Sequence, residues 1–317
     1  MNEFELIRAF FARPELTCAG MPLDLGPGDD GSLLSVPHRE NEADWQLAQS
    51  LDTFVADVHF PVHGDPFLIG WRCLALSASD LAAMGARPHS FFLGLTLPEA
   101  EPAWLEAFSR GLAALAGQLG LSLAGGDITR GPLALSIHVQ GLVEKGRALT
   151  RSGARAGDSI YVGGTLGNAR AALPFVLNEE SGHSRAARQL LASYWQPVPQ
   201  IELGRWLLAQ GATTAMDLSD GLVGDLPHIL RASGTGAELR GSALPVSSAL
   251  RATCGERAAS MALAGGDDCV LCFCWPESLP APAGSPVPLT RIGAVTDRAG
   301  QLLVDGEIPS VGGFRHF

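Results

Sequence analysis

LIGWRCLALSASDLAAMGARPHSFFLGLTL, residues 68 to 97, changes its hydrophobic period partway along, and that change decides the fold. Leu68, Trp71, Ala75, Ala78, Leu81 and Ala82 recur at i, i+3 and i+4, the stripe of a helix that ends near Gly85. From Phe91 the period drops to two. Phe91, Leu93, Leu95 and Leu97 alternate with Phe92, Gly94 and Thr96, as in a strand with one strongly apolar face. A second helical stripe follows in Leu105, Phe108, Leu112, Leu115 and Leu119, closed by Gly120. A longer strand then runs from Leu133 to Val143, with Leu133, Leu135, Ile137 and Val139 on one side and Ala134, Ser136, His138 and Gln140 on the other. Helices and half-buried strands interleaved in this way predict a mixed α+β fold.

Further out, MNEFELIRAFFARPEL sets Phe4, Ile7, Phe10 and Phe11 at helical spacing and carries acids, so it reads as a first helix rather than a signal peptide. On the other side the pattern breaks at EKGRALTRSGARAGD, a polar Gly- and Arg-rich connector before the short strand SIYVGG. That break divides the chain into residues 1–147 and 148–317. The second part shows helices near 186–192 and 201–209, another starting around SDGL, an apolar strand CVLCFCW, and a Pro/Ala-rich surface loop at 276–288. The chain has 317 residues, 46% of them hydrophobic, enough for two αβ domains with a core each.

With 33 acidic against 22 basic residues the formal charge is −11, which opposes nonspecific binding of nucleic acid. No apolar run is long enough to cross a bilayer, so a cytoplasmic protein off the membrane is expected. Three of the six cysteines crowd into CVLCFC, but strand alternation puts Cys269 on one face and Cys272 and Cys274 on the other, so they cannot share one zinc. They read as small buried hydrophobes, and Cys18 stands apart. Lys145 is the single lysine of the chain, which excludes a Walker A loop and the strand lysine of protein kinases.

Aspartates set among Gly and Ser carry the chemistry: GPGDDG (26–31), LDTF (51–54), SASDLAAMGA (77–86), AGGDITRGP (124–132), MDLSDGL (216–222) and AGGDDCVL (264–271). Hard divalent cations that carry nucleotide phosphates take carboxylate oxygens, and glycine lets backbone approach the phosphates. Singly, each motif also reads as a turn or cap. Ser219 or Asp220 is an ordinary helix N-cap, and GGDIT and GPGDD are ordinary tight turns. His138 on a polar strand face is an unremarkable histidine.

Taken in order, GPGDDGSLL, LDTFVADVHF, SASDLAAMGARP, GGDITRGP, GRALTRSGARAGDSIYVGG, MDLSDGLVGDLPHIL, AGGDD and the closing GGFRHF resemble the thiamine-monophosphate kinases, members of the aminoimidazole ribonucleotide synthetase-like ATP-binding superfamily. The resemblance implies an N-terminal Mg²⁺-ATP-binding and dimerisation domain over 1–147 and a C-terminal αβ domain over 148–317, with the site in the cleft between them, where closure of the halves aligns donor and acceptor. It implies transfer of the ATP γ-phosphoryl group to thiamine monophosphate, with Mg²⁺ as cofactor and a homodimer as the assembly. Its pattern assigns Mg²⁺ to Asp30, Ser50, Asp52, Asp80, Asp127, Asp217 and Asp220, of which Asp80, Asp127 and Asp220 are the most critical, and the Leu51 backbone carbonyl is available to a metal beside them. Gly126, Asp127, Arg151 and Ser219 fall to ATP, and Asp29 to a supporting place beside Asp30. His59, Asp267 and Phe314 fall to thiamine monophosphate. The chain departs from the family's usual GGEDYEL, having GGDDCVL, and from its usual threonine, having Leu51.

Two other readings share parts of this pattern. Another ATP-dependent synthetase of the superfamily would keep the Mg²⁺-ATP half. Selenophosphate synthesis lacks its reactive cysteine motif and early lysine here, and the hydrogenase maturation protein would end in cysteine where this chain has Phe317. A catalytically silent nucleotide- or thiamine-phosphate-binding protein would bind without releasing ADP.

Overall fold

The structure, a computed structural model, describes residues 24–25, 29–35, 44–178 and 180–314. The helix expected within residues 1–16, Cys18, residues 26–28 of the first glycine motif, and the last three residues lie outside the described ones.

The first half builds a five-stranded sheet from β1 (Ser32–Ser35), β2 (Trp45–Val55), β3 (Arg87–Leu97), β4 (Ser122–Arg130) and β5 (Ala134–Glu144), in the order β1-β2-β5-β3-β4. All neighbours are antiparallel except β3 and β4. Helices α1 (Pro66–Ala83) and α2 (Pro102–Leu119) pack on each other against one face. Both expected helices are present. Asp65 caps α1 by accepting from the Phe67 N–H, with Pro66 in the first turn, and Gly120 closes α2 in the left-handed region at φ 71°. The two cross closely because Gly111 faces α1: a Cβ there would lie 1.9 Å from the Phe67 carbonyl oxygen.

The alternation read in β5 holds, with Leu135, Ile137, Val139 and Val143 buried toward the helices. GGDIT differs from its local reading as a tight turn. It lies within β4, whose parallel pairing with β3 stretches the glycines into an edge strand. Gly126 is required there because a Cβ would sit 2.0 Å from the Leu93 carbonyl oxygen.

The second half forms a six-stranded sheet, β11-β8-β10-β6-β9-β7, from β6 (Ser159–Gly163), β7 (Thr214–Asp217), β8 (Gly236–Leu239), β9 (Leu271–Trp275), β10 (Leu289–Thr296) and β11 (Leu302–Val304). Around it stand α3 (Asn168–Val176), α4 (Arg185–Trp195), α5 (Ile201–Gln210), α6 (Leu222–Ser233), α7 (Ser248–Cys254) and α8 (Ala258–Ala264). Strand β9 is buried on both faces. Leu271, Phe273 and Trp275 join one apolar cluster with Cys269, whereas Cys272 and Cys274 join another, so the cysteine alternation holds.

α1 departs from a surface helix. Its outer side is covered by α4, α5 and β7, so residues all round it are buried. The cluster beneath it runs on into Ile201, Leu203 and Leu207 of α5 and into β9, making one core under parts of both halves.

Candidate active site

The far end of α1 meets β2 and β7 at a knot of acids. Carboxylate oxygens of Asp30, Asp80 and Asp217 all lie within 4.8 Å of one another. Asp80 rides on α1, Asp217 ends β7, and Asp30 precedes β1. Strand pleating puts Ser50 and Asp52 on one face of β2 and Leu51 on the other, where it is 62% exposed. Burial pushes Asp80 well above the usual carboxylate range, helped by the charges of Asp52, Asp217 and Asp30, while a hydrogen bond from Ser50 pulls the other way. Burial likewise raises Asp30 to about 7 and Asp217 to about 6, each against the opposing pull of Arg151. Asp225, on α6, is raised well above its ordinary value by burial and then by Asp220 and Asp217.

Arg151 is the cation at this knot. Its Nη2 and Nε donate to Asp30 Oδ1 at 2.5 and 3.2 Å, and its backbone N–H donates to Asp29 Oδ2 at 2.9 Å. Asp30 Oδ2 is buried and accepts no hydrogen bond among the described residues. Acids crowded against one guanidinium, with an orphaned buried carboxylate oxygen and donors that are all oxygen, fit a hard divalent cation.

The acids Asp80 and Asp217 also line a cleft of about 550 Å³ together with Asp52, His59, Ser219, Asp220, Asp267 and Phe314. Its walls come from both halves of the chain. Neither Ser219 nor Asp220 is the N-cap of α6: Gly221 holds that position, and the Asp220 N–H instead donates to Asp225 Oδ2 at 2.9 Å. Both side chains are thereby turned to the cleft. Gly266 is held against this turn so closely that a Cβ on it would lie 1.7 Å from the Ser219 carbonyl oxygen. The Phe314 N–H donates to the Asp220 carbonyl at 3.0 Å, which brings the C-terminal aromatic to the rim. His59 Nδ1 accepts from the Val55 N–H at 2.9 Å, and its ring stands edge-on to Phe54.

Asp127 stands apart. Cross-strand rows run Asp52–Ile137–Leu93–Gly126 and Thr53–Ser136–Gly94–Asp127. Asp127 therefore sits three strands, roughly 14 Å, from the Asp52 row and faces the open side of the sheet. Neither it nor Gly126 lines the cleft.

Four residues here escaped the sequence reading. Arg72, Tyr194 and Asp225 contact the candidate residues Asp267, His59 and Asp220, and Asp268 follows Asp267 in the chain. Asp268 accepts from the Gly167 and Ala169 N–H groups at 2.5 and 2.8 Å at the start of α3, and burial raises it to about 7. For Asp225 and Asp268 the available signal was a second acid close to a first, in SDGLVGD and GGDD.

Known proteins resemble this chain over its whole length. Residues 28–143 match the family described as AIR synthase related protein, N-terminal domain. The chain is 42% identical over 327 residues to a thiamine-monophosphate kinase of Escherichia coli O157:H7, covering 100% of this chain and 98% of that one. It is 41% identical to the crystal structure of thiamine-monophosphate kinase from Stenotrophomonas maltophilia K279a, with a TM-score of 0.77 and coverage of 97% and 98%. A further structure, AaThiL complexed with AMPPCP and TMP, superposes with a TM-score of 0.87 at 30% identity, covering 100% of this chain and 97% of that chain.

Proposed function

The chain belongs to the thiamine-monophosphate kinase family, and from that premise we propose that it transfers the γ-phosphoryl group of ATP to the phosphate of thiamine monophosphate, releasing ADP and thiamine diphosphate. The observation that carries this reading is the convergence of Asp30, Asp80 and Asp217, drawn from both halves, beside a cleft that also holds His59, Asp267 and Phe314.

The second pKa of a phosphate monoester is about 6, so at neutral pH the attacking oxygen is largely deprotonated and no side chain need remove a proton. The task is to bring anions together. In our reading Asp30, Asp80 and Asp217 would hold Mg²⁺, and Ser50, the Leu51 carbonyl, Asp52 and Asp220 would supply its further ligands. An ion held by these residues would neutralise phosphate charge and so favour in-line displacement. Arg151 orders Asp30 and Asp29 before substrate arrives. His59, with Nδ1 accepting from the Val55 N–H, carries its neutral-state proton on Nε2, and we assign that proton to the acceptor phosphate. Phe314 offers a ring face to the cationic thiazolium, and Ser219 a hydroxyl to ATP.

Purified protein supplied with ATP, Mg²⁺ and thiamine monophosphate is expected to form thiamine diphosphate and ADP one for one, and to leave thiamine itself unphosphorylated. A folded sample that binds both ligands yet releases no ADP would be the silent binder instead.

The proposed division at 147/148 is supported by the two sheets, whose strands fall within 32–144 and 159–304. The proposed homodimer is supported by the open sheet face, which exposes Leu51, Val55 and Phe92, and by the exposed edge strand β4 with Leu123 and Ile128. Asp127 and Gly126 would then serve a site through the nucleotide or from the partner copy. The chain of 33.1 kDa is expected to elute at twice that mass in size-exclusion chromatography with light scattering, and Phe92→Asp to elute as monomer. A monomeric wild type at micromolar concentration would remove the dimer. The cysteines among the described residues are free thiols, which supports work in the reducing cytoplasm.

A further inference from the structure

Arg72 lies in the middle of α1, and its side chain is only 3% exposed. A buried guanidinium must be paired and hydrogen-bonded to be tolerated. Its Nη2 donates to Asp267 Oδ2 at 2.6 Å, its Nη1 donates to the Tyr194 carbonyl at 2.7 Å, and its plane lies over the Tyr194 ring with Cζ 3.7 Å from the centroid. Tyr194 in turn donates its hydroxyl proton to the His59 carbonyl at 3.0 Å. One cation thus ties together Asp267 from the β9 side, Tyr194 from α4 and, through it, the segment carrying His59. All four residues line the same cleft.

We infer that Arg72 is the positioning residue of the acceptor end of the cleft, fixing Asp267 directly and His59 through Tyr194, and that Asp267 so held recognises the amino group of the acceptor's pyrimidine. The inference rests on the kinase reading above. The chemistry follows from the pairing. With Arg72 against Oδ2, Asp267 is no longer a net countercharge for the thiazolium cation. What remains is Oδ1, which has no hydrogen-bond partner among the described residues, on a carboxylate 37% exposed to the cleft. A fixed acceptor of this kind selects an N–H donor. In thiamine monophosphate the exocyclic pyrimidine amine supplies one, and the thiazolium ring has none. Asp267 also holds a left-handed backbone conformation, φ 63°, uncommon for a residue other than glycine, and the Arg72 bond opposes relaxation out of it.

The test is steady-state kinetics with two acceptors, thiamine monophosphate and hydroxyethylthiazole phosphate, which keeps the phosphate and lacks the pyrimidine. Wild-type turnover, measured first, separates failure of this inference from failure of the kinase reading. Arg72→Met is expected to raise KM for thiamine monophosphate about 10-fold or more while KM for ATP stays within about twofold. For the truncated acceptor, whose KM is already high with wild type, the same substitution raises KM only by the smaller factor that Tyr194→Phe produces, because the phosphate contact through His59 is all that it can lose. Tyr194→Phe, which keeps the ring and loses the bond to His59, raises the thiamine monophosphate KM by a smaller factor, and Asp267→Asn reproduces the acceptor selectivity of Arg72→Met. Should Arg72→Met fail to fold, those two variants decide. Equal increases for ATP and both acceptors, or no increase for thiamine monophosphate, would overturn the inference.

Discussion

Asp80→Asn is expected to leave a folded protein whose turnover of thiamine monophosphate falls by roughly 10²–10³-fold, the scale of losing several kcal/mol of charge stabilisation in the transition state. The same change is expected to raise the thermal midpoint of the metal-free protein. Both directions have one cause. Asp80 is half-buried and faces Asp52, Asp217 and Asp30, so in the absence of metal its ionised form is opposed by its surroundings. Asparagine keeps the shape, removes the charge and replaces one of the two carboxylate oxygens by an NH₂ that cannot ligate the metal. A site selected for function holds groups that destabilise the fold, and neutralising one trades activity for stability. The measurement is a pair: initial rates at saturating Mg²⁺, and a melt in chelator. Activity within threefold of wild type would take Asp80 out of the metal site.

The second large effect is the dependence of stability on pH and Mg²⁺. Asp30 is raised to about 7 and Asp217 to about 6, with burial the leading cause for both. A carboxyl whose folded pKa lies above its unfolded value binds its proton more tightly when folded. Its contribution is therefore fully present below the unfolded pKa, near 4, and is lost as pH rises through the folded value. The metal-free protein should lose stability between pH 4 and 7, on the order of a few kcal/mol in sum. Mg²⁺ competes for the same oxygens, so its stabilisation should be small at pH 5 and large at pH 8, where a concentration of 100 Kd would contribute about 2.7 kcal/mol. Thermal melts at the two pH values, with chelator and with Mg²⁺, read this directly. An equal Mg²⁺ shift at both would mean that the ion binds elsewhere.

How far the sequence carries is visible residue by residue. α1, α2 and β5 are legible because burial on one face leaves a periodic signature that neighbours in sequence share. β4 is not: Gly125, Gly126 and Asp127 have turn propensity, and only the pairing with β3, set by residues some thirty positions earlier, extends them. The acids of the knot are legible because each sits in its own short motif. Arg72 is not, since its meaning lies in Asp267 and Tyr194, more than a hundred residues away, and an arginine in a helical stripe looks like a solvated face. Asp127 is legible as a motif but not as a place, because the face a strand residue takes depends on register.

The core that continues beneath α1 into α5 and β9 bears on how the enzyme moves. A hinge between the halves would have to part that apolar contact, and exposing even about 500 Å² of it costs on the order of 10 kcal/mol. The two jaws of the cleft are therefore welded at the back. At the mouth of the cleft lie two peripheral pieces: the turn after β2 that carries His59, held by the Tyr194 hydroxyl, and the terminal stretch whose Phe314 N–H donates to the Asp220 carbonyl. Such a molecule is expected to take up and release substrate over a stationary floor rather than by swinging its halves apart.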